Sequence, residues 1–260
     1  MALAREAEQA GIDRIMIDLE REGKEARQAG RDLFHSGHRL EAVARIKAAL
    51  RVAPIVARVN PLSDRSEAEI ERVLEVGASF VMLPYFAHAS AVRRFVGIVR
   101  GRCGTIALVE TKEAAAHFDE IVRARGLDEV HIGLNDLSIS LGHRVIFESL
   151  CSGLIEHLTG ILRRSGRPFG FGGVARLSAT DLPVDPVSVL AEQVRLGASR
   201  AWLGRTFRDP FEGERAPGAW DREVMSLRDE IRRWEQAAVV ELETNRVRLA
   251  RQVYAWTQRT

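Results

Sequence analysis

The chain is poor in features that staple, anchor or spread a protein. Cysteine is nearly absent, with Cys103 and Cys151 the two thiols in 260 residues. No disulfide framework can be built from so distant a pair, and reduced thiols in the cytoplasm are the expected state. No apolar run approaches the ~20 residues that span a bilayer. Met1 opens into a polar stretch (ALAREAEQA) that has no secretory signal. Charge of one sign is lacking as well. The 38 Lys and Arg are interspersed with 36 Asp and Glu, leaving a net +2 and no basic stripe for nucleic acid. No GxGxxG turn follows the first apolar run, so the signature of a dinucleotide-binding sheet is missing. The seven histidines form no ligand pair at helical spacing.

What is present is regular. Hydrophobic residues make up 46% and charged residues 28% of the chain, an ordinary balance for a globular protein. At this length roughly 70–75% of the unfolded surface can be buried, so the core needs no staples. Short apolar runs alternate with amphipathic stretches. The runs lie at 14–19 (RIMIDL), 53–59 (APIVARV), 80–83 (FVML), 105–109 (TIALV), 129–134 (EVHIGL), 168–172 (PFGFG) and 200–203 (RAWL). Continuous apolarity marks strands buried on both faces of a parallel sheet. Helices are expected at 39–50, 67–75, 89–99, 114–125, 147–164 and 187–196, several of them closed by Gly77, Gly101, Gly126, Gly166 or Gly197.

Repeated β-then-α units give an α/β fold with a parallel sheet, doubly wound or closed. Polar residues choose the closed form, a (β/α)8 barrel. Asp18 and Glu20, Arg58 and Asn60, Glu110 and Thr111, and Asn135 and Asp136 each follow a strand. In a barrel those ends converge on one mouth, where such folds do their chemistry. Seven strands are legible, and only two residues precede the helix expected at 3–10. A barrel one strand short leaves two edges unpaired. The expectation is that the recorded start omits the true first strand; an open barrel, or a strand lent by the C-terminal region, is the alternative. Residues 1–218 form the expected barrel domain. Residues 219–260 form a helical extension, with Val224, Leu227, Ile231, Trp234 and Ala238 at three- and four-residue spacing. Continuous, it would span ~60 Å, so it must bend back or pack on a neighbouring subunit.

The ordered motifs resemble the HpcH/HpaI aldolase and citrate lyase β-subunit family of the phosphoenolpyruvate/pyruvate barrel superfamily. The resemblance covers residues 8–207. It rests on GIDRIMIDLE with Lys24 and Arg27 downstream, ARVNP at 57–61, GASFVMLPYF at 77–86, LVET at 108–111 and HIGLNDLSISLG at 131–142. It implies that Glu110 and Asp136 hold a divalent cation and that Arg58 grips a 2-oxo acid. It also implies that the backbone at Leu134, Asn135 and Asp136 cradles the substrate carboxylate. The DLE at 18–20 resembles the citrate-lyase-like branch more than the aldolase branch. The aldolase branch carries a histidine where this chain has Arg21, so the aldolase base does not carry over.

Two carboxylates without Cys or His suit Mg2+ or Mn2+ rather than zinc. Such an ion stabilises an enolate formed when a carbon–carbon bond breaks. The plainer reading of Glu110 and Asp136 is a pair of caps or salt-bridge partners. Arg58 offers a planar fork to an anion, or simply pairs with Glu20 or Glu110. Glu20 and Asp18 are candidates for orienting Arg58 or holding metal-bound water, and His38 is a candidate base. Lys24 and Arg27 are candidates for meeting an anionic tail. His131 reads as a core histidine.

The leading expectation is a metal-dependent carbon–carbon lyase acting on a 2-oxo acid or acyl thioester, in a homo-oligomer, with no nucleic-acid or membrane partner. Two alternatives stand beside it. One is a metal-free barrel enzyme whose GFGG run at 170–173 cradles a phosphate. The other is a non-catalytic barrel that serves as a binding partner.

Overall fold

The computed structural model describes residues 1–23, 38–208 and 218–259. Seven strands run parallel and pair in chain order: β1 (Ile15–Asp18), β2 (Ile55–Arg58), β3 (Phe80–Leu83), β4 (Gly104–Val109), β5 (Glu129–Ile132), β6 (Phe169–Val174) and β7 (Arg200–Leu203). The helices are α1 (Ala2–Gln9), α2 (Leu40–Ala49), α3 (Ser66–Glu75), α4 (Ala89–Val99), α5 (Lys112–Ala116), α6 (Phe118–Val122), α7 (Leu134–Ser140), α8 (Glu148–Cys151), α9 (Leu154–Ser165), α10 (Pro186–Leu196), α11 (Arg205–Arg208), α12 (Ala219–Glu235) and α13 (Val239–Thr257).

Side chains alternate between the two faces of each strand, and the two faces differ. Ile17, Ala57, Val81, Leu83, Ala107, Val109, Val130, Ile132 and Phe171 turn toward the helices and join the main core. The other face gathers Val56, Met82, Ile106 and Leu108 with Met16, Phe80 and Trp202. Contacts across that face show that the sheet is curled. Arg14, just before β1, makes two 2.8 Å hydrogen bonds to Glu129 of β5. The Arg58 guanidinium of β2 lies 5.4 Å from the Trp202 ring of β7.

At the N-terminal ends of the strands the interior is filled. Arg14 covers the Phe80 ring at 4.0 Å, and Arg200 Nε stands 3.6 Å from Glu129. The ring takes the space that Gly104 leaves; a Cβ there would meet it at 2.2 Å.

Among the described residues β7 does not pair with β1. The helical layer is nevertheless continuous there. Ile15 and Leu203, one from each edge strand, share an apolar cluster with Ala7 of α1 and Trp220, Val224 and Leu227 of α12.

Several expected boundaries move. The helix expected at 114–125 breaks at His117 into α5 and α6. The one expected at 147–164 breaks where Gly153 adopts φ +82°, giving α8 and α9. The fifth strand stops at Ile132, and the turn at Gly133 sends Leu134 into α7, so Leu134–Ser140 is helix rather than a strand end.

The tail is two helices, because the chain is extended at Ala238 (φ −65°, ψ 150°). Both pack on α10 of the same chain. Asn245 Nδ2 donates to the Ser188 carbonyl at 2.9 Å, and Arg195 Nη1 reaches Glu243 at 3.3 Å. The Asp185 carboxylate caps α10 by accepting from the Val187 amide at 3.0 Å, with Pro186 in the first turn. Lys24 and Arg27 lie outside the described residues.

Candidate functional site

The strand ends that drew attention in the sequence meet at one mouth. Asp18 ends β1, Arg58 ends β2, Glu110 follows β4 and Asp136 sits in the first turn of α7. Asp18, Glu20, Glu110 and Asp136 are all buried, at 7%, 1%, 3% and 7% exposure. Four carboxylates against one guanidinium leave an excess of three negative charges when all are ionised. Taking that much unbalanced charge out of water is costly, and a proton or a cation relieves it.

Arg58 is held from below. Its Nε and Nη2 donate to the two oxygens of Asp18 at 2.9 and 2.6 Å, and Glu20 lies 3.5 Å from Nε. Burial opposes the charge on Arg58, but the Asp18 hydrogen bonds and the nearby Asp18, Glu110 and Glu20 charges more than offset it. Asp18 is thus the residue that orients Arg58, while Glu20 stands beside the same guanidinium. Its second hydrogen-bonding role is local: the Glu20 amide donates to Asp18 Oδ1 at 3.1 Å.

Glu110 is the most perturbed carboxylate. Burial and the neighbouring Asp136 charge push it up to about 8, against the opposing pull of Arg58. One of its oxygens, Oε1, accepts the Tyr85 amide at 2.9 Å. Tyr85 presents that amide from φ +43°, a conformation costly for a residue with a side chain. The other oxygen, Oε2, lies 2.7 Å from where a Cβ would stand on Gly133. The glycine is what lets the β5–α7 turn approach Glu110. Asn135 Nδ2 donates to Asp136 Oδ1 at 3.0 Å, and Ser138 Oγ donates to the Asn135 carbonyl at 2.7 Å, which fixes the start of α7. Leu134 is buried beneath this turn.

Loops around the mouth are cross-tied. Asn60 Oδ1 accepts the Arg21 and Glu22 amides at 2.7 and 2.9 Å. Arg21 Nη2 donates to the His38 carbonyl at 2.9 Å. Thr111 Oγ1 donates to the Phe86 carbonyl at 2.7 Å. Below the mouth His131 packs edge-on against Trp202 at 5.2 Å, and burial, with Arg58 adding, pushes its imidazole down to about 3. It is a neutral core histidine, as its position in a strand suggested.

The donor set fits a hard divalent cation. Asp136 is close enough to raise the cost of ionising Glu110, and a cation between the two carboxylates would relieve it. Among the described residues no group of three His, Cys, Asp or Glu side chains forms a fuller ligand set.

A family model described as HpcH/HpaI aldolase/citrate lyase matches residues 1–146, more than half of the chain. The chain belongs to the HpcH/HpaI aldolase/citrate lyase family. Among relatives, it is 28% identical over 204 residues to 2-keto-3-deoxy-L-rhamnonate aldolase of Escherichia coli, covering 66% of this chain and 71% of that protein. The protein of the same description from Salmonella newport is 28% identical over 171 residues, covering 54% and 58%. The solved structure of an HpcH/HpaI aldolase from Desulfitobacterium hafniense superposes with a TM-score of 0.58 at 19% identity, covering 75% of this chain and 78% of that one. That of the citrate synthase SbnG gives 0.56 at 21% identity, with the same coverage. These structures share the curled parallel α/β fold of this family member.

Tyr85 and Gly133 lie in GASFVMLPYF and HIGLNDLSISLG, and the residue pattern alone gives neither a role. A glycine beside a strand end is a signal of close approach; the backbone of Tyr85 left none.

Proposed function

We propose that this member of the HpcH/HpaI family is a carbon–carbon lyase that acts on a 2-oxo acid or acyl thioester with the help of Mg2+ or Mn2+. The observation that carries this reading is the buried Glu110–Asp136 pair beside a guanidinium that Asp18 already holds in place. A divalent cation held by Glu110 and Asp136 would supply positive charge to oxygens that become negative as the bond breaks. Arg58 spends Nε and Nη2 on Asp18, which presents the rest of the fork to an oxo-acid oxygen. The turn at Leu134, Asn135 and Asp136 offers amides to a carboxylate. Glu20 and His38 are the proton-handling groups on this reading, since Arg21 replaces the aldolase histidine. An eighth strand between β1 and β7 would close the curled sheet into a (β/α)8 barrel.

The phosphate-cradle alternative has less to support it. The GFGG run lies within β6, where a Cβ on Gly170 would meet the Arg200 carbonyl oxygen at 2.2 Å. That glycine serves strand packing.

Calorimetric titration of Mg2+ or Mn2+, followed by oxalate, tests the reading. Wild type should bind both. Asp136→Asn should lose metal binding with the fold intact, because it removes a charge without changing volume. Arg58→Lys should keep the metal but bind oxalate more weakly by about 1.5–3 kcal/mol, the worth of a hydrogen bond to a charged group. Absence of metal binding by wild type at millimolar concentration would overturn the proposal.

A further inference from the structure

Two histidines far apart in the chain meet on the outside of the fold. His88 directly precedes α4, in the loop that follows β3, and His117 lies between α5 and α6, after β4. Their ring centres are 4.9 Å apart, with the planes inclined at 60°. Both residues are exposed. Among the described residues neither imidazole makes a hydrogen bond or an ion pair, so their nitrogens are open to a ligand.

The backbone holds the two positions firmly. Ala89, next to His88, and Phe118, next to His117, are each 1% exposed. The His88 carbonyl accepts the Ala91 amide at 3.1 Å in the first turn of α4. The His117 amide donates to the Glu113 carbonyl at 3.0 Å, and its own carbonyl accepts the Glu120 and Ile121 amides at 3.2 and 3.3 Å. Residue 117 thus closes α5 and opens α6. The Thr111 hydroxyl, bonded to the Phe86 carbonyl, ties one loop to the other. With both backbones fixed, little ordering is left to oppose a ligand that needs the two rings together.

The spacing suits a metal ion. An imidazole nitrogen stands ~2.0–2.1 Å from a bound ion, which puts the ring centre ~3.2 Å from it. Two rings on one ion are then ~4.5 Å apart at a right angle and ~5.2 Å apart at a tetrahedral angle. The observed 4.9 Å falls between these. No third His, Cys, Asp or Glu joins the pair among the described residues, so water would fill the remaining positions. Imidazole suits zinc, copper and nickel, whereas the hard ions suited to Glu110 and Asp136 prefer oxygen.

We propose that His88 and His117 form a second metal site, a two-imidazole clamp for a borderline divalent ion such as Zn2+, Ni2+ or Cu2+. An ion held there joins the loop that carries Tyr85 to the segment after Glu110, and so braces the two stretches of chain that position that carboxylate. The site does not rest on the lyase reading, and stands or falls without it.

Zinc titration of the Asp136→Asn chain, in which the mouth has lost one candidate ligand, tests the clamp. The tightest zinc should bind one per chain in the micromolar range. His88→Ala and His117→Ala should each weaken it about tenfold or more, because either loss turns an intramolecular second contact into none. Both rings are exposed, so neither variant should disturb the fold. With one equivalent of Cu2+, electron paramagnetic resonance should show two ring nitrogens on the unsubstituted pair and one in each single variant. Failure to bind zinc below millimolar concentration would overturn the proposal. So would unchanged affinity in both variants, or a loss confined to one of them, which would leave a lone ligand in place of a clamp.

Discussion

A methyl group at position 133 would enter space that Glu110 already fills. It would stand 2.7 Å from Oε2 and 2.9 Å from the Glu110 Cβ, and the latter cannot swing aside as a side-chain tip can. Gly133→Ala should therefore move Glu110 off its line to Asp136, lowering divalent-metal affinity at least about tenfold and costing about 1–3 kcal/mol of stability. Metal titration beside urea unfolding checks both, and an alanine variant with wild-type metal affinity would refute the account. His131 makes a separate prediction about pH. Its imidazole titrates near 3 in the folded chain, against about 6.5 in the unfolded one. Below about 6.5 the unfolded state takes up a proton that the folded state refuses, so this contribution to stability falls as pH drops from 6.5 toward 3. His131→Gln should lose less stability than wild type between pH 7 and 5, and parallel unfolding curves would show that burial does not perturb this group. The residues that end strands were legible because polar atoms after an apolar run are uncommon. The Asp18–Arg58 grip was not, because the ends of β1 and β4 offered Arg58 three carboxylates and only geometry selects among them.

At the scale of elements, all seven strands were readable from continuous apolar runs, since helices cover the outer face and the sheet curls over the inner one. Helix ends were harder. Nothing in the local pattern stops a helix at His117, and the break at Ala238 arises from the seat that α10 provides. Leu249 shows the worth of that seat. It is 1% exposed, and Leu249→Ala should destabilise the fold by about 2–5 kcal/mol, the usual cost of a cavity left by a buried leucine. Chemical denaturation measures it. A loss under 1 kcal/mol would mean that α13 rests only loosely on the body. The Glu192 carboxylate, 1% exposed, is held at 2.8 Å by Arg195, which also reaches Glu243 of the same helix.

For the whole molecule, net charge conceals a local imbalance. The chain carries only +2 overall, while the mouth gathers four buried carboxylates around one arginine. A divalent cation should stabilise the folded state without binding the unfolded one. At a hundred times its dissociation constant that amounts to about 2.7 kcal/mol, and for a domain of this size to a rise of roughly 5–10 °C in Tm. Thermal scans with Mn2+ and with a chelator should show the gain and its reversal. Asp136→Asn should show neither. Equal melting temperatures for wild type in both conditions would argue against a resident ion.

Arg14, Phe80, Glu129 and Arg200 shut the far end of the curled sheet. The interior is therefore plugged at that end, and the strand-end residues gather at the opposite one. On the proposed reading both pieces of a cleaved substrate would leave by the mouth that admitted the whole, because the floor beneath them is filled.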